Sequence, residues 1–436
     1  MSPRILVMSA ALAAAGAAIL AANGKEGAVP PVRSNGAKRD VETLAGAGDS
    51  GKRLRIREAL FVPNPLPPLA ARSHGRFAPE PGIVAERVSY RTAYGLRVPA
   101  ILYRPEKPRG KIPGLIVVNG HGGDKYSWYA FYSGVLYARA GAAVLTYDPI
   151  GEGERNAGRR SGTRAHDAMQ QPAELGARLG GLMMTDLMQA VSFLEGRPEV
   201  DARRIGAMGY SMGSFVLSLA GAVDPRLAVT VLTGGGNLDG PGEYWDTSKQ
   251  MCQGLPYRAL SFLGDRAAEV YALRAAIGPT LILNGAEDSI LQGAKRNFRD
   301  HFEDLRRRAS ALALSGRPFE NFYEEHAGHR PLFVTRPAAA WLERHLDFPE
   351  WTAARIDSLP VTHVMRWANE RNVEIDKGYA TEHREGGTRA LGENVPGLSR
   401  GQLSVWPRDG WERVKGELTY ESWLERARRE LPPAAR

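Results

Sequence analysis

From Ile112 onward the chain reads as short apolar runs alternating with helix-like segments, and this alternation constrains the fold more than any other feature. Gly114–Asn119 is continuously apolar up to its last residue, as expected of a strand covered on both faces. Ala142–Tyr147 repeats the pattern after a helix-like stretch from Trp128 to Ala140. Met184, Leu187, Met188, Val191 and Leu194 recur at spacings of three and four, which predicts a helix with one buried stripe. Further strands are predicted at Arg204–Gly209, Ala228–Leu232, Thr280–Asn284 and Phe319–Glu324. Such alternation implies an α/β architecture, a mostly parallel twisted sheet with helices on both faces. In these sheets ligands bind beyond the carboxyl ends of the strands, so chemistry is sought in the residues that follow each strand.

The segment before this region differs in character. Val62–Pro68 is too rich in proline for a regular helix or a central strand and reads as an extended surface segment. Ala85–Arg91 and Arg97–Tyr103, separated by Ala93-Tyr94-Gly95, carry a hairpin signal.

Gly209-Tyr210-Ser211-Met212-Gly213 stands between a strand and a helix-like run from Ser214 to Ala222. A G-x-S-x-G motif in this setting makes a sharp turn that lifts the serine above the sheet, and the helix behind it points free N–H groups at a developing oxyanion. A serine hydroxyl is a weak nucleophile, so it needs a base and a third group to orient that base. Asp288, after the strand and glycine turn at Leu281–Gly285, is the candidate acid, with Glu287 the alternative. The alternative reading of Asp288 is a loop carboxylate that caps the helix that follows. The last strand runs into two histidines. His329, directly after Gly328, is the candidate base and His326 the alternative. Met212 N–H is the first expected oxyanion donor. The second is expected from the glycine-rich loop after Asn119, with Gly123 first and Gly122 next, and His121 there is read as structural.

Other chemistries find less support. Gly151-Glu152-Gly153-Glu154 lacks the third glycine and the lysine of phosphate-binding loops, and Asp148–Gly153 reads as a shaped loop at a pocket rim. No His/Cys/Asp group has metal-ligand spacing, because His326 and His329 form a single pair on a loop, so no metal and no cofactor is expected. The net charge of +9 first suggests an anionic partner. However, residues 1–57 carry a surplus of five positive charges, the last 86 residues one, and the long central part only three. With no concentrated basic face and no reading module, nucleic acid is not an expected partner.

Arg4 followed by the alanine-rich apolar run Ile5–Ala22 reads as a signal peptide, with a retained anchor helix as the alternative. No other segment is long and apolar enough to span a membrane. The single cysteine, Cys252, cannot form an intrachain disulfide, which is compatible with a bacterial periplasm. The expected organisation is a leader at 1–22, a flexible linker at 23–52, a catalytic domain at 53–350 and an extension at 351–436 of undefined role. The extension's Trp351, Trp367, Trp406, Trp411 and Trp423 suit a small-domain core, or a carbohydrate platform.

Gly120–Asp124, Asp148–Gly153, Gly209–Gly213, Asp288 and His329 occur in the order found in one branch of a large superfamily. With Gly95–Ala100 added, the stretch Arg87–Leu346 resembles the acetyl xylan esterase and dienelactone-hydrolase-like branch of the α/β-hydrolases. The resemblance implies an α/β-hydrolase fold and a Ser-His-Asp esterase carried on Ser211, His329 and Asp288. It also implies that Asn237–Tyr257 lies where these enzymes carry a cap. A small-molecule or carbohydrate ester is then the expected substrate, and the location secreted or periplasmic. A prolyl-oligopeptidase-like peptidase shares the elbow, but no propeller-like domain precedes the catalytic region here. A noncatalytic binding protein on the same fold is the reading from outside enzymes. The oligomeric state is not readable from the sequence.

Overall fold

The computed structural model describes residues 47–167, 171–236, 243–295, 297–375 and 388–432. The leader, most of the linker and the first six residues of the expected cap therefore lie outside the described residues. A helix at Ala47–Ala59 occupies the end of the segment expected to be linker, which corrects its boundary from Lys52 to before Ala47. Ile56 and Leu60 at its end are fully buried, so tertiary burial holds this polar helix in place.

Nine strands form one sheet: β1 Arg72–Glu80, β2 Ile83–Arg91, β3 Arg97–Pro105, β4 Ile112–Val118, β5 Ala143–Tyr147, β6 Val200–Tyr210, β7 Val229–Thr233, β8 Thr280–Gly285 and β9 Glu320–Glu324. Their order is β1-β2-β3-β5-β4-β6-β7-β8-β9. The expected hairpin is present, β2 pairing antiparallel with β3 from Ile83↔Pro105 to Arg91↔Arg97. From β5 to β9 every neighbour is parallel. β1 was not read from the sequence. Its Gly75 and Pro79, and its largely exposed residues, give no strand signal, and only pairing with β2 makes it one.

Side chains alternate across the sheet. Ile116 and Val118 enter one core with helices Ala173–Glu195 and Met212–Val223, while Leu115 and Val117 enter the other with helices Trp128–Arg139 and Arg336–Leu346. This is why β4 is apolar without interruption.

The extension after Glu350 is threaded onto this body. Trp351 and Trp367 join one core, Trp423 the other, and Trp406 and Trp411 a small cluster between segments. All five tryptophans are buried, which removes the carbohydrate platform, and they serve the two main cores more than any separate small domain. Polar anchors fix the attachment. The Glu154 carboxylate accepts Val405 N–H at 2.9 Å and Trp406 N–H at 3.0 Å, and Trp411 Nε1 donates to Glu154 O at 2.9 Å.

Candidate active site

Strand register brings the candidate residues to one edge. β6 and β7 pair through Tyr210↔Thr233, so Ser211 and Gly234 emerge side by side. β8 and β9 pair through Gly285↔Glu324, so the turns carrying Asp288 and His329 also start level. Glu287 N–H donates to Ala327 O at 2.9 Å and Ala286 N–H to Glu324 O at 2.9 Å, locking those turns together.

Ser211 directly follows β6 with φ 52° and ψ −114°, a conformation that a non-glycine residue adopts only under constraint. Two close approaches impose it. A Cβ on Gly209 would come within 2.5 Å of Gly213 O, and one on Gly213 within 2.2 Å of Val118 O. The turn is therefore as tight as the glycines allow, and it leaves Ser211 partly exposed at the end of the sheet.

The three candidates form a continuous hydrogen-bonded chain. His329 Nε2 lies 3.1 Å from Ser211 Oγ, and His329 Nδ1 lies 2.8 Å from Asp288 Oδ2. Asp288 is fully buried, and its other oxygen accepts Ile290 N–H at 2.9 Å and Leu291 N–H at 3.0 Å. The carboxylate is thus both the cap of helix Ser289–Ala294 and the partner of the imidazole, and capping fixes its orientation. The alternatives sit elsewhere. His326, with 81% of its side chain exposed, faces Glu287 at 3.5 Å, and neither reaches Ser211.

Gly234 went unnoticed in the sequence although it opens the run Gly234-Gly235-Gly236 after a strand. Its φ is +66°, and a Cβ there would lie 2.9 Å from His329 Cε1 and 3.0 Å from Tyr210 Cε2. The imidazole occupies the space that a side chain would take. Tyr210 completes the support, its hydroxyl donating to His329 O at 3.1 Å.

The oxyanion donors come out differently from expectation. Met212 N–H starts the helix at Met212–Val223, where the first N–H groups have no intrahelical acceptor. Gly123 N–H instead closes a turn onto Gly120 O at 3.1 Å, so it is engaged and cannot serve as drawn from the sequence. Gly122, at φ +74°, packs against Gly162, and its carbonyl accepts Gly162 N–H at 3.0 Å. From this loop it is His121 that lines the pocket containing Ser211.

That pocket has a volume of about 580 Å³. Around Ser211 and His329 it is lined by Arg164, Tyr244, Trp245 and Gln253, and the described part of the expected cap thus forms one wall. No described residue of the extension lines it. Asp148–Gly153 does not line it either, contrary to the reading of a rim loop. Asp148 is buried beneath, where Lys125 Nζ contacts Asp148 Oδ2 at 2.5 Å and Glu154 Oε2 at 2.9 Å, all three side chains fully enclosed. Burial opposes the Lys125 charge, but the two carboxylates outweigh it and hold the ammonium protonated. Burial pushes the Glu152 carboxyl up to about 7, although it accepts Arg164 N–H at 2.7 Å and Thr163 N–H at 3.0 Å.

A parallel sheet flanked by helices, a strained serine between strand and helix, and a Ser-acid-His order decide the architecture. Among solved structures, the methylesterase BT1017 superposes with a TM-score of 0.52 at 18% identity, over 90% of this chain and 75% of that one. The chain has the α/β-hydrolase fold.

A second solved structure, the acetyl xylan esterase from Paenibacillus sp. R4, matches with a TM-score of 0.49 at 17% identity, over 70% of this chain and 99% of that one. In sequence, the thiohydrolase apmlB of Arthrinium phaeospermum is 29% identical over 150 residues, 34% of this chain and 42% of the relative. The chain spans less than half the length of the curated relatives it matches. No family model matches it. Among the described residues, no helix is long and apolar enough to cross a membrane.

Proposed function

We propose that this α/β-hydrolase is an exported serine esterase that cleaves carboxylic esters, acetyl esters among them, on carbohydrate or small-molecule alcohols. The observation that carries the reading is the unbroken chain from Ser211 Oγ through His329 to Asp288 at the wall of an open pocket. Nucleophile and base stand within hydrogen-bond reach, and the base is held by a third group.

In this mechanism Ser211 Oγ attacks the ester carbonyl while His329 Nε2 takes its proton. Asp288 holds the proton on Nδ1 and stabilises the imidazolium. Met212 N–H and a backbone donor from His121-Gly122 receive the oxyanion. The imidazolium then protonates the departing alcohol, leaving the acyl group on Ser211. Water, deprotonated by His329, attacks that acyl group, and collapse returns the proton to Ser211 as the acid departs. The aromatic pair Tyr244 and Trp245, with Gln250 and Gln253, suits a hydroxyl-bearing alcohol part, since such sites combine apolar faces with a few oriented polar groups. Export rests on the leader-like run ending at Ala22.

Ser211→Ala tests the proposal. Hydrolysis of p-nitrophenyl acetate should fall by roughly ten-thousand-fold with the circular dichroism spectrum unchanged. A fluorophosphonate probe should label Ser211 in the wild type alone. Activity within tenfold of wild type in the folded variant rules the mechanism out.

A further inference from the structure

The tertiary structure collects three metal-ligating side chains that the sequence scatters. His121 follows β4, His166 lies in the long connection after β5, and Cys252 comes from the cap segment. One ring nitrogen of each histidine and Cys252 Sγ lie within 4.8 Å of one another. His166 and Cys252 are fully buried, and His121 is partly exposed on its pocket side. The two imidazoles stack at 5.6 Å with planes 12° apart. His121 Nε2 is 3.1 Å from Cys252 Sγ, which also lies 3.1 Å from Asp167 Oδ1.

Hydrogen bonding orients His166 as a ligand. Its Nδ1 lies 2.8 Å from Ile150 O, an acceptor only, so Nδ1 carries the proton and Nε2 a lone pair. That Nε2 is buried and has no hydrogen-bond partner among the described residues. A backbone carbonyl holding one imidazole nitrogen while the other stays open is the usual arrangement of a metal-binding histidine. What sets this open lone pair apart from other unpaired buried atoms is its place beside a second imidazole and a thiol, which together make a donor set for a cation.

We propose that His121, His166 and Cys252 bind a divalent cation of the zinc class. Two imidazole nitrogens and one thiolate match its preference for borderline and soft donors, and this set disfavours magnesium and calcium. Tetrahedral zinc holds nitrogen and sulfur donors roughly 3.5 Å apart, so donors already within 4.8 Å of one another seat the ion by side-chain adjustments of up to about an ångström. The Cys252 thiol must lose its proton for the Zn–S bond to form. Asp167 Oδ1, beside the sulfur, accepts that proton and passes it to solvent. Three protein ligands leave a fourth position, which opens toward the pocket on the side that His121 lines. The ion therefore pins the cap segment to two core loops and offers a Lewis-acidic contact to an anionic or hydroxyl group of whatever the pocket holds. The proposal does not rest on the serine chemistry proposed above, although His121 and Ser211 line the same pocket.

The test uses the full chain, freed of metal with a chelator and titrated with Zn²⁺ and then Co²⁺. About one equivalent of Zn²⁺ should bind and raise the unfolding temperature. Co²⁺ should give a thiolate-to-metal charge-transfer band together with the visible spectrum of a tetrahedral ion. Cys252→Ser should abolish the charge-transfer band, and His166→Gln should weaken Zn²⁺ binding at least tenfold, with Ser211 labelling by the fluorophosphonate probe preserved in both. If either variant fails to fold, the wild-type Co²⁺ spectrum decides. Less than about a tenth of an equivalent of Zn²⁺ bound, or Co²⁺ bound without the sulfur band, overturns the proposal.

Discussion

Replacing Asp288 with asparagine separates the two duties of that carboxylate. In the folded protein one oxygen accepts two helix N–H groups, at 2.9 and 3.0 Å, and the other accepts from His329 Nδ1 at 2.8 Å. An asparagine side chain keeps only one acceptor. Two donors on the helix side outweigh one on the imidazole side, so the amide oxygen stays with Ile290 and Leu291 and the NH₂ turns to His329. His329 must then accept at Nδ1 and carry its proton on Nε2, where it can no longer take the proton of Ser211. The helix cap survives, so the stability loss should stay under about 2 kcal/mol. The wrong tautomer should lower kcat by about 10⁴-fold, equivalent to roughly 5.5 kcal/mol of transition-state stabilisation. Initial rates with p-nitrophenyl acetate give kcat, urea unfolding gives the stability, and Glu287→Gln is the control, expected to leave kcat within about twofold because Glu287 pairs with exposed His326. An Asp288→Asn enzyme that keeps a tenth of wild-type kcat would refute the assignment of Asp288 as the orienting acid.

Gly234→Ala places a methyl 2.9 Å from His329 Cε1 at a φ of +66°, and displacing the imidazole by even part of an ångström should lower kcat about a hundredfold while KM changes little. Lys125→Met leaves Asp148 and Glu154 buried without their shared cation, which should cost about 3–5 kcal/mol in urea unfolding and expose the extension to limited proteolysis. Glu152 gives a pH signature. Its folded pKa of about 7 exceeds its ordinary value, so its contribution is fully present below pH about 4.5 and is lost as the pH rises to 7. Glu152→Gln should flatten that part of the stability–pH curve, and an unchanged slope would remove Glu152 as its source.

The sequence alone determined the parallel part of the sheet, because a strand buried on both faces must be apolar throughout and helices between such strands show a separate periodicity. It also determined the elbow, since Gly209 and Gly213 stand where backbones approach too closely for any Cβ. The sequence also placed Asp288 and His329 at the same end of the sheet as Ser211, because strand ends lead to one side of a parallel sheet, and the hydrogen bonds among the three needed the fold. Tertiary structure alone decided the rest. β1 exists through pairing with β2, not through its own residues. The engagement of Gly123 N–H with Gly120, the room that Gly234 leaves for His329, and the inward turn of Asp148 onto Lys125 depend on backbone directions within loops, which residue types do not encode. The gathering of His121, His166 and Cys252 was equally invisible, because ligands on one helix or hairpin betray themselves by spacing, whereas three separate loops meet only when the whole sheet has folded.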